Sequence, residues 1–356
     1  MRNPRRSTVQ PRITAIGTAT PPCDVHAAYS GWARSRLSEP REVAVLERML
    51  ARGGIDHRHS VLADVEAAIG PDGFYGNGHA PSTAERMRRY AEAAPELALA
   101  AIEQLPSLDG VTHLVVASCT GFMAPGLDQV IARRLGLPHD VQRLSIGFMG
   151  CYAGITLLRT AGQIVRAEPG AKVLAVAVEL CTLHMQDTDD LEALLAMGQF
   201  ADGAAAALVA DEGEGLALGE AISATLDDSA ELITWTISDT GFVMHLSGAV
   251  PGRLAEAFAA SDLRETLRLG DTLPTFAVHP GGKSILDAVE RGLELPADAL
   301  APSRRVLAQF GNMSSATVIF VLQSLMESRP RHGLALAFGP GLAMEGLRFG
   351  WTDDNA

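Results

Sequence analysis

The sequence predicts an α/β protein built from two similar halves. Three observations carry this expectation. Short apolar runs such as His113-Leu-Val-Val-Ala-Ser118 and Lys172-Val-Leu-Ala-Val-Ala-Val178 read as strands buried on both faces. Segments with apolar residues at helical spacing alternate with them. The alternation stops at the polar, glycine-rich Asp211-Glu-Gly-Glu-Gly215 and then resumes to the end of the chain. Strands and helices alternating on both sides of that break argue for layered α/β halves, 1–213 and 214–356, although no repeat is visible residue by residue.

In the first half, Arg12-Ile-Thr-Ala-Ile-Gly-Thr-Ala-Thr-Pro21 reads as a strand ending in a Pro-Pro turn. Val43 to Arg52 reads as a helix with Arg48 and Arg52 on one face. Pro71 to Pro81, rich in Gly, Pro and Asn, is a loop. Ser82-Thr-Ala-Glu85 matches a capping box and starts a helix running to about Gln104. After the strand at His113–Ser118 come a loop, Cys119-Thr-Gly-Phe-Met-Ala-Pro-Gly126, and a helix from Leu127 to Leu135. Ser145 to Arg159 reads as strand, glycine turn and buried helix, with Cys151 at the helix mouth. Asp202 to Ala210 is the last strand of this half.

In the second half, Leu216 to Leu246 predicts strands and Gly252 to Leu269 a helix. Thr275 to His279, Val306 to Phe310 and Leu334 to Phe338 read as strands. Ser284 to Leu293 and Ser315 to Met326 read as helices.

Composition bounds the function. The 356 residues are 47% hydrophobic and 20% charged, a globular rather than a disordered composition. A net charge of −13 argues against a nucleic-acid surface. An anionic substrate therefore needs a local cluster of arginines. The four cysteines are widely spaced with no CxxC, which suits a reducing compartment and disfavours a disulfide framework or a zinc site. No apolar run reaches membrane-spanning length. The basic start, Met1-Arg-Asn-Pro-Arg-Arg-Ser7, lacks the apolar core of a signal peptide, so a cytoplasmic protein is expected.

A thiol at a helix N-terminus ionises more easily, and the thiolate is its reactive form. Taken alone, Cys151 reads equally well as a nucleophile or as a small buried hydrophobe. Two later segments weigh on it. Phe276-Ala-Val-His-Pro-Gly-Gly-Lys283 ends a strand with a histidine, and Gln309-Phe-Gly-Asn-Met-Ser-Ser-Ala316 does the same with an asparagine. Strand ends in an α/β sheet converge on one rim, where ligands bind. Cys151, His279 and Asn312 are thus expected to meet.

Gly-Cys-Tyr-Ala-Gly, His-Pro-Gly-Gly, Gly-Asn-Met-Ser-Ser-Ala and the later Gly-Pro-Gly-Leu resemble, in order, the signatures of type III polyketide synthases, the chalcone synthase family. The resemblance runs from about Arg12 to Trp351. It implies a thiolase-like, five-layered αβαβα fold, a homodimer, and a Cys151-His279-Asn312 triad working on acyl-CoA and malonyl-CoA without metal or other cofactor. In that chemistry Cys151 carries the acyl chain as a thioester, with His279 holding its thiolate as an ion pair. His279 and Asn312 then donate to the enolate left when malonyl-CoA loses CO₂.

The resemblance also carries over Phe200 as a gatekeeper between the CoA tunnel and the cavity. Met244 falls at the second gatekeeper position, where plant enzymes have phenylalanine. Cys119, Thr120, Ala124, Cys181, His184 and Ser314 fall at cavity-lining positions. Ala124 replaces a larger side chain that reaches into the other subunit, which implies more room. Arg48 and Arg52 match CoA-phosphate positions, with Arg58 nearby.

The expected function is condensation of a medium- or long-chain fatty acyl-CoA with malonyl-CoA and cyclisation to alkylpyrones or alkylresorcinols. Gly73-Phe-Tyr75 and Pro81-Ser-Thr-Ala-Glu-Arg-Met87 resemble the microbial branch that includes such enzymes. Cys119-Thr-Gly-Phe-Met123 also resembles the tetrahydroxynaphthalene synthases, so a malonyl-only enzyme stays open, as does a small or aromatic starter with phloroglucinol- or chalcone-like products. A ketoacyl-ACP synthase of the initiating type shares fold and triad but lacks the Met-Ser-Ser and Gly-Pro-Gly-Leu patterns. A non-catalytic acyl-CoA binder has no need of all three triad residues. A papain-like protease has a different local cysteine signature.

Overall fold

The computed structural model describes residues 9–270 and 273–353. The basic segment Met1–Ser7 lies outside them. The N-terminal half runs β1 (Arg12–Ala19), β2 (Cys23–Asp24), α1 (His26–Arg34), α2 (Pro40–Arg52), β3 (His59–Ser60), α3 (Val65–Ile69), α4 (Thr83–Ile102), β4 (His113–Ser118) and α5 (Leu127–Arg134). It continues with β5 (Gln142–Gly147), α6 (Ala153–Ala167), β6 (Val173–Leu180), α7 (Leu191–Met197) and β7 (Asp202–Ala210). The C-terminal half runs β8 (Gly215–Thr225), β9 (Ile233–Ser238), β10 (Gly241–Leu246), α8 (Val250–Ala259), α9 (Ser261–Leu267) and β11 (Thr275–Val278). It ends with α10 (Lys283–Leu293), α11 (Ala301–Phe310), α12 (Thr317–Met326), β12 (Gly333–Gly339) and β13 (Ala343–Thr352).

Nine strands pair in the order β11-β12-β13-β8-β1-β7-β6-β4-β5. The two halves of this ladder meet only where Arg12 faces Ala217 and Ile13 faces Leu216. The expected boundary at 213/214 falls in the turn leading into that seam, between β7 and β8. The two half-sheets then lie against a shared helical layer. Strand side chains alternate between faces. In β6, Val173, Ala175 and Ala177 turn to the centre, where they meet α6, α12 and the facing Ala335 and Ala337 of β12. Leu174, Val176 and Val178 turn outward onto α4 and α5. The outer face of the C-terminal half-sheet, with Phe276, Val278, Leu334 and Leu336, packs on α8 and α10. The result is the five-layered αβαβα thiolase-like arrangement. The alanines on both inner faces let the central helices approach closely, and α6 begins just after Cys151.

Local signals hold where the chemistry is specific. The capping box forms in both directions, with Glu85 N–H donating to Ser82 Oγ (3.3 Å) and Ser82 N–H to Glu85 Oε2 (2.8 Å). One expectation fails: Val306 to Phe310 is not a strand but the end of α11. A short apolar run is ambiguous between strand and helix. Here a proline in the first turn starts a helix that buries Val306 and Leu307. The expected helix from Gly252 is two helices, broken at the extended Ala260.

Candidate active site

Three chain reversals build the site. The first carries Cys151 in the turn between β5 and α6, one residue before the α6 N-cap. Gly150 makes that turn with φ +86°, and a Cβ there would lie 2.3 Å from Pro340 Cδ. Only glycine meets both demands, so Pro340 of the Gly-Pro-Gly loop packs directly on the Cys151 turn. The second reversal carries His279 off the end of β11, anchored by its N–H to Leu336 O (2.7 Å).

The third reversal carries Asn312 between α11 and the short 3₁₀ turn Ser314–Ala316, a helix-to-helix link rather than the strand end expected. Its backbone bridges Phe200, with Asn312 N–H donating to Gln199 O and Ala201 N–H to Asn312 O, both at 2.9 Å. Its side-chain oxygen accepts from Ser314 N–H (2.9 Å), and its amide nitrogen donates to Gly281 O (3.1 Å). Those bonds fix which way the amide faces and turn its second N–H towards the cavity that Cys151 shares.

All three side chains are buried and line one cavity of about 50 Å³. Burial pushes the Cys151 thiol up to about 11, opposed by hydrogen bonds from Ser314 and Asn312. Burial alone pulls His279 down to about 3. Neither ring nitrogen of His279 has a hydrogen-bond partner. Burial thus works against the charged form of each group, and any ion pair between them has to overcome that cost.

Cys119, Thr120, Ser314, Phe200, Met244 and Cys181 line the same cavity. A second chamber, of about 300 Å³, adjoins it and shares Cys181, Phe200, Met244 and Trp235 as a common wall. His184 lines this second chamber. Its rings are committed: His184 stacks on Phe242 at 4.2 Å, its Nε2 lies 2.7 Å from Thr120 O, and its Nδ1 accepts from Phe242 N–H at 3.0 Å. Ala124 lines neither space and is exposed on the surface.

The three arginines separate. Arg48 and Arg52 are exposed on α2. Arg58 is buried, with Nη1 donating to the carbonyls of Met197 (3.1 Å) and Phe200 (2.8 Å) and Nε to His26 Nδ1 (3.1 Å). Its guanidinium lies over the Tyr29 ring, 4.5 Å from the centroid. Nη1 and Nε of that head group hold the Phe200 turn and His26, while Nη2 has no partner, and the whole group is turned inward, away from the surface where the expectation for it would place a phosphate.

Sequence reasoning missed two residues. Trp235, whose Nε1–H donates to Cys119 O (3.0 Å), stands in the wall between the chambers. An alternating strand offers no signal for it. Glu179 is fully buried beside Cys119 and Thr120. Its signal was visible: an acid inside an otherwise apolar strand.

The arrangement brings a thiol, an imidazole and a fixed amide N–H together in a buried pocket that adjoins a larger, mostly apolar space. That suits thioester exchange and stabilisation of an oxyanion. Among the described residues no group of three or more His, Cys, Asp or Glu could hold a metal ion, and no helix is long and apolar enough to cross a membrane.

Comparison with known proteins agrees in kind. The family model of chalcone and stilbene synthases matches by its N-terminal domain over residues 1–213 and by its C-terminal domain over residues 217–350. The chain is 33% identical over 288 residues to the alpha-pyrone synthesis polyketide synthase-like Pks18 of Mycobacterium tuberculosis, covering 74% of this chain and 72% of that protein. It is 32% identical to bisdemethoxycurcumin synthase of Oryza sativa subsp. japonica, covering 98% and 94%. Among solved structures, PKS-I of the brown alga Ectocarpus siliculosus superposes with a TM-score of 0.87 at 29% identity, covering 98% of this chain and 100% of that one. CsyB complexed with CoA-SH gives 0.82 at 25% identity, covering 96% and 100%.

Proposed function

Because the chain belongs to the chalcone and stilbene synthase family, and is thus a type III polyketide synthase condensing an acyl-CoA with malonyl-CoA by decarboxylative Claisen chemistry, we propose that Cys151, His279 and Asn312 carry that reaction here and that its starter is a medium- or long-chain fatty acyl group. Cys151 Sγ attacks the starter thioester carbonyl while its proton passes to His279, and CoA leaves as the thiol on taking that proton. Malonyl-CoA next loses CO₂. The enolate oxygen accepts from a His279 ring N–H and from the second N–H of Asn312 Nδ2. The enolate carbon attacks the acyl thioester, the C–S bond to Cys151 breaks, and a β-ketoacyl-CoA forms that can reload. No step needs a metal or a further cofactor. Exclusion of water from the 50 Å³ cavity protects the thioester and the enolate.

The larger chamber carries the proposal for the starter. It adjoins the cavity that Cys151 lines, is walled by residues such as Val25, Leu62, Ala68, Ile69 and Phe242, and holds about 300 Å³. At roughly 30 Å³ for a group of water or methylene size, that is room for a chain on the order of ten such groups. Met244 at the shared wall is flexible and can give way to a chain. The Mycobacterium relative named for alpha-pyrone synthesis supports an alkylpyrone product. The test is product mass spectrometry with a panel of fatty acyl-CoAs and labelled malonyl-CoA. Products carrying the fatty chain are expected; products made of malonyl units alone contradict the starter.

Arg48 and Arg52 are proposed to meet the CoA phosphates at the protein surface, in keeping with the CoA bound to CsyB. A homodimer is proposed through β5, the edge strand of the nine-stranded ladder, with exposed Leu144 on it and exposed Phe122 beside it. An unpaired strand edge with apolar side chains is a template for a second copy. Ala124 lies two residues from Phe122, where a neighbouring copy would complete its surroundings. The cytoplasm, with its reduced thiols, fits four unpaired cysteines.

A further inference from the structure

Glu179 lies in β6 with no exposed surface, and among the described residues no cation pairs with it. Its hydrogen bonds divide between its two oxygens. Oε2 accepts from Cys119 N–H (3.0 Å) and from Thr120 Oγ1–H (2.8 Å). Oε1 accepts from Ser315 Oγ–H. The first oxygen therefore grips the N-terminal half and the second grips the C-terminal half.

Each grip leads to a reacting group in one or two steps. On the first side, Cys119 Sγ accepts from Gly150 N–H (3.0 Å), and Gly150 precedes Cys151. On the second side, Ser315 follows Ser314, which sits at φ +45°, a left-handed conformation rare outside glycine. Strained backbone of this kind persists only where its surroundings over-determine it. Ser314 is held before and after. Its N–H donates to the Asn312 side-chain oxygen, and the next residue is clasped by Glu179. Ser314 also lines the cavity that holds the Cys151 thiol. Relaxing the Ser314 turn would rotate the amide that aims Asn312 Nδ2 into the cavity.

We propose that Glu179 is a positioning residue that sets the spacing between the nucleophile turn and the Asn312 turn, with one carboxylate oxygen committed to each. It touches neither substrate nor reacting atoms. The inference rests on the roles proposed above for Cys151 and Asn312. It assigns the two halves of the molecule a shared, fully buried carboxyl clasp. Buried polar contacts that are fully satisfied fix one arrangement, and a half-satisfied one is costly.

The two partial reactions separate this role from a merely structural one. Loading of Cys151 needs the thiol and His279, whereas decarboxylation of malonyl-CoA needs the aimed Asn312 amide. Ser315→Ala removes one grip, and Glu179→Gln keeps the shape but replaces one acceptor by a donor. Both variants are compared with the parent enzyme for acyl-enzyme formation by intact-protein mass spectrometry and for CO₂ release from malonyl-CoA. The expected result is acylation within about two-fold of the parent and CO₂ release slowed about ten- to a hundred-fold, with little change in KM. The double variant should lose little more than the worse single one, since both break the same clasp. Equal CO₂ release in parent and variants, or equal loss in both partial reactions, overturns the clasp. A parent enzyme that forms no acyl-enzyme overturns the reading beneath it instead.

Discussion

Glu179→Gln also makes a quantitative test of how this buried carboxyl is held. Burial raises the Glu179 carboxyl from its ordinary 4.5 to about 7, against hydrogen bonds from Ser315, Cys119 and Thr120 that act to lower it. The folded protein therefore binds this proton more tightly than the unfolded chain does. Stability from this group is fully present below about 4.5 and is lost as pH rises towards about 7. The gap, at about 1.4 kcal/mol per pH unit, corresponds to about 3 kcal/mol. Glutamine fills the same space and does not titrate. Its lost acceptor costs the same at every pH, so only the slope reports on the carboxyl. Asp202, also raised by burial, to about 6, is common to both proteins and cancels in the comparison. The assay is urea unfolding of parent and variant by circular dichroism between pH 4.5 and 8.5, read as the difference in unfolding free energy. The variant should gain on the parent by about 3 kcal/mol across that range. A difference that is flat with pH, or a parent that gains on the variant as pH rises, refutes the argument, because it would mean a carboxylate stabilised rather than penalised by its site.

Arg48→Ala and Arg52→Ala should each raise KM for an acyl-CoA by about ten-fold, as expected for losing a charge-assisted phosphate contact. The N-acetylcysteamine thioester of the same acyl group lacks the nucleotide, and its kinetics should not change; an equal loss with both substrates would speak for damage to the fold. Gly150→Ala forces a side chain into a left-handed turn against Pro340. It should cost about 1–3 kcal/mol in a denaturant titration and abolish acylation of Cys151; full activity would show that the turn is not held as described. Leu144→Lys puts a charge on the β5 edge and should convert dimer to monomer in light scattering; an unchanged mass would place the interface elsewhere.

Much of the fold was legible because its signals are local. β4 and β7 begin and end where their apolar runs do, and Ser82 and Glu85 announced the start of α4. The three segments that bring Cys151, His279 and Asn312 to one cavity were legible as motifs around glycine turns. What escaped was decided by tertiary context. α11 hid in a five-residue apolar run that either period can explain. Arg58 looked like its exposed neighbours, and only the fold shows its head turned inward to the Phe200 carbonyl. The protonation of Cys151 and His279 depends on desolvation, which no motif records. Trp235 reaches the site because β9 pairs with β10 and brings it opposite Met244. Glu179 was the one missed residue with a visible mark, since an acid in a strand buried on both faces needs an explanation.

The most direct test of the account is where the acyl group resides. The protein is incubated with a fatty acyl-CoA, digested, and mapped by peptide mass spectrometry, then chased with malonyl-CoA. The account predicts an acyl mass on the Cys151 peptide alone, its discharge into extended products on the chase, and no acylation in Cys151→Ala. Acylation at Cys119 or Cys181, or product formation that survives Cys151→Ala, would contradict it.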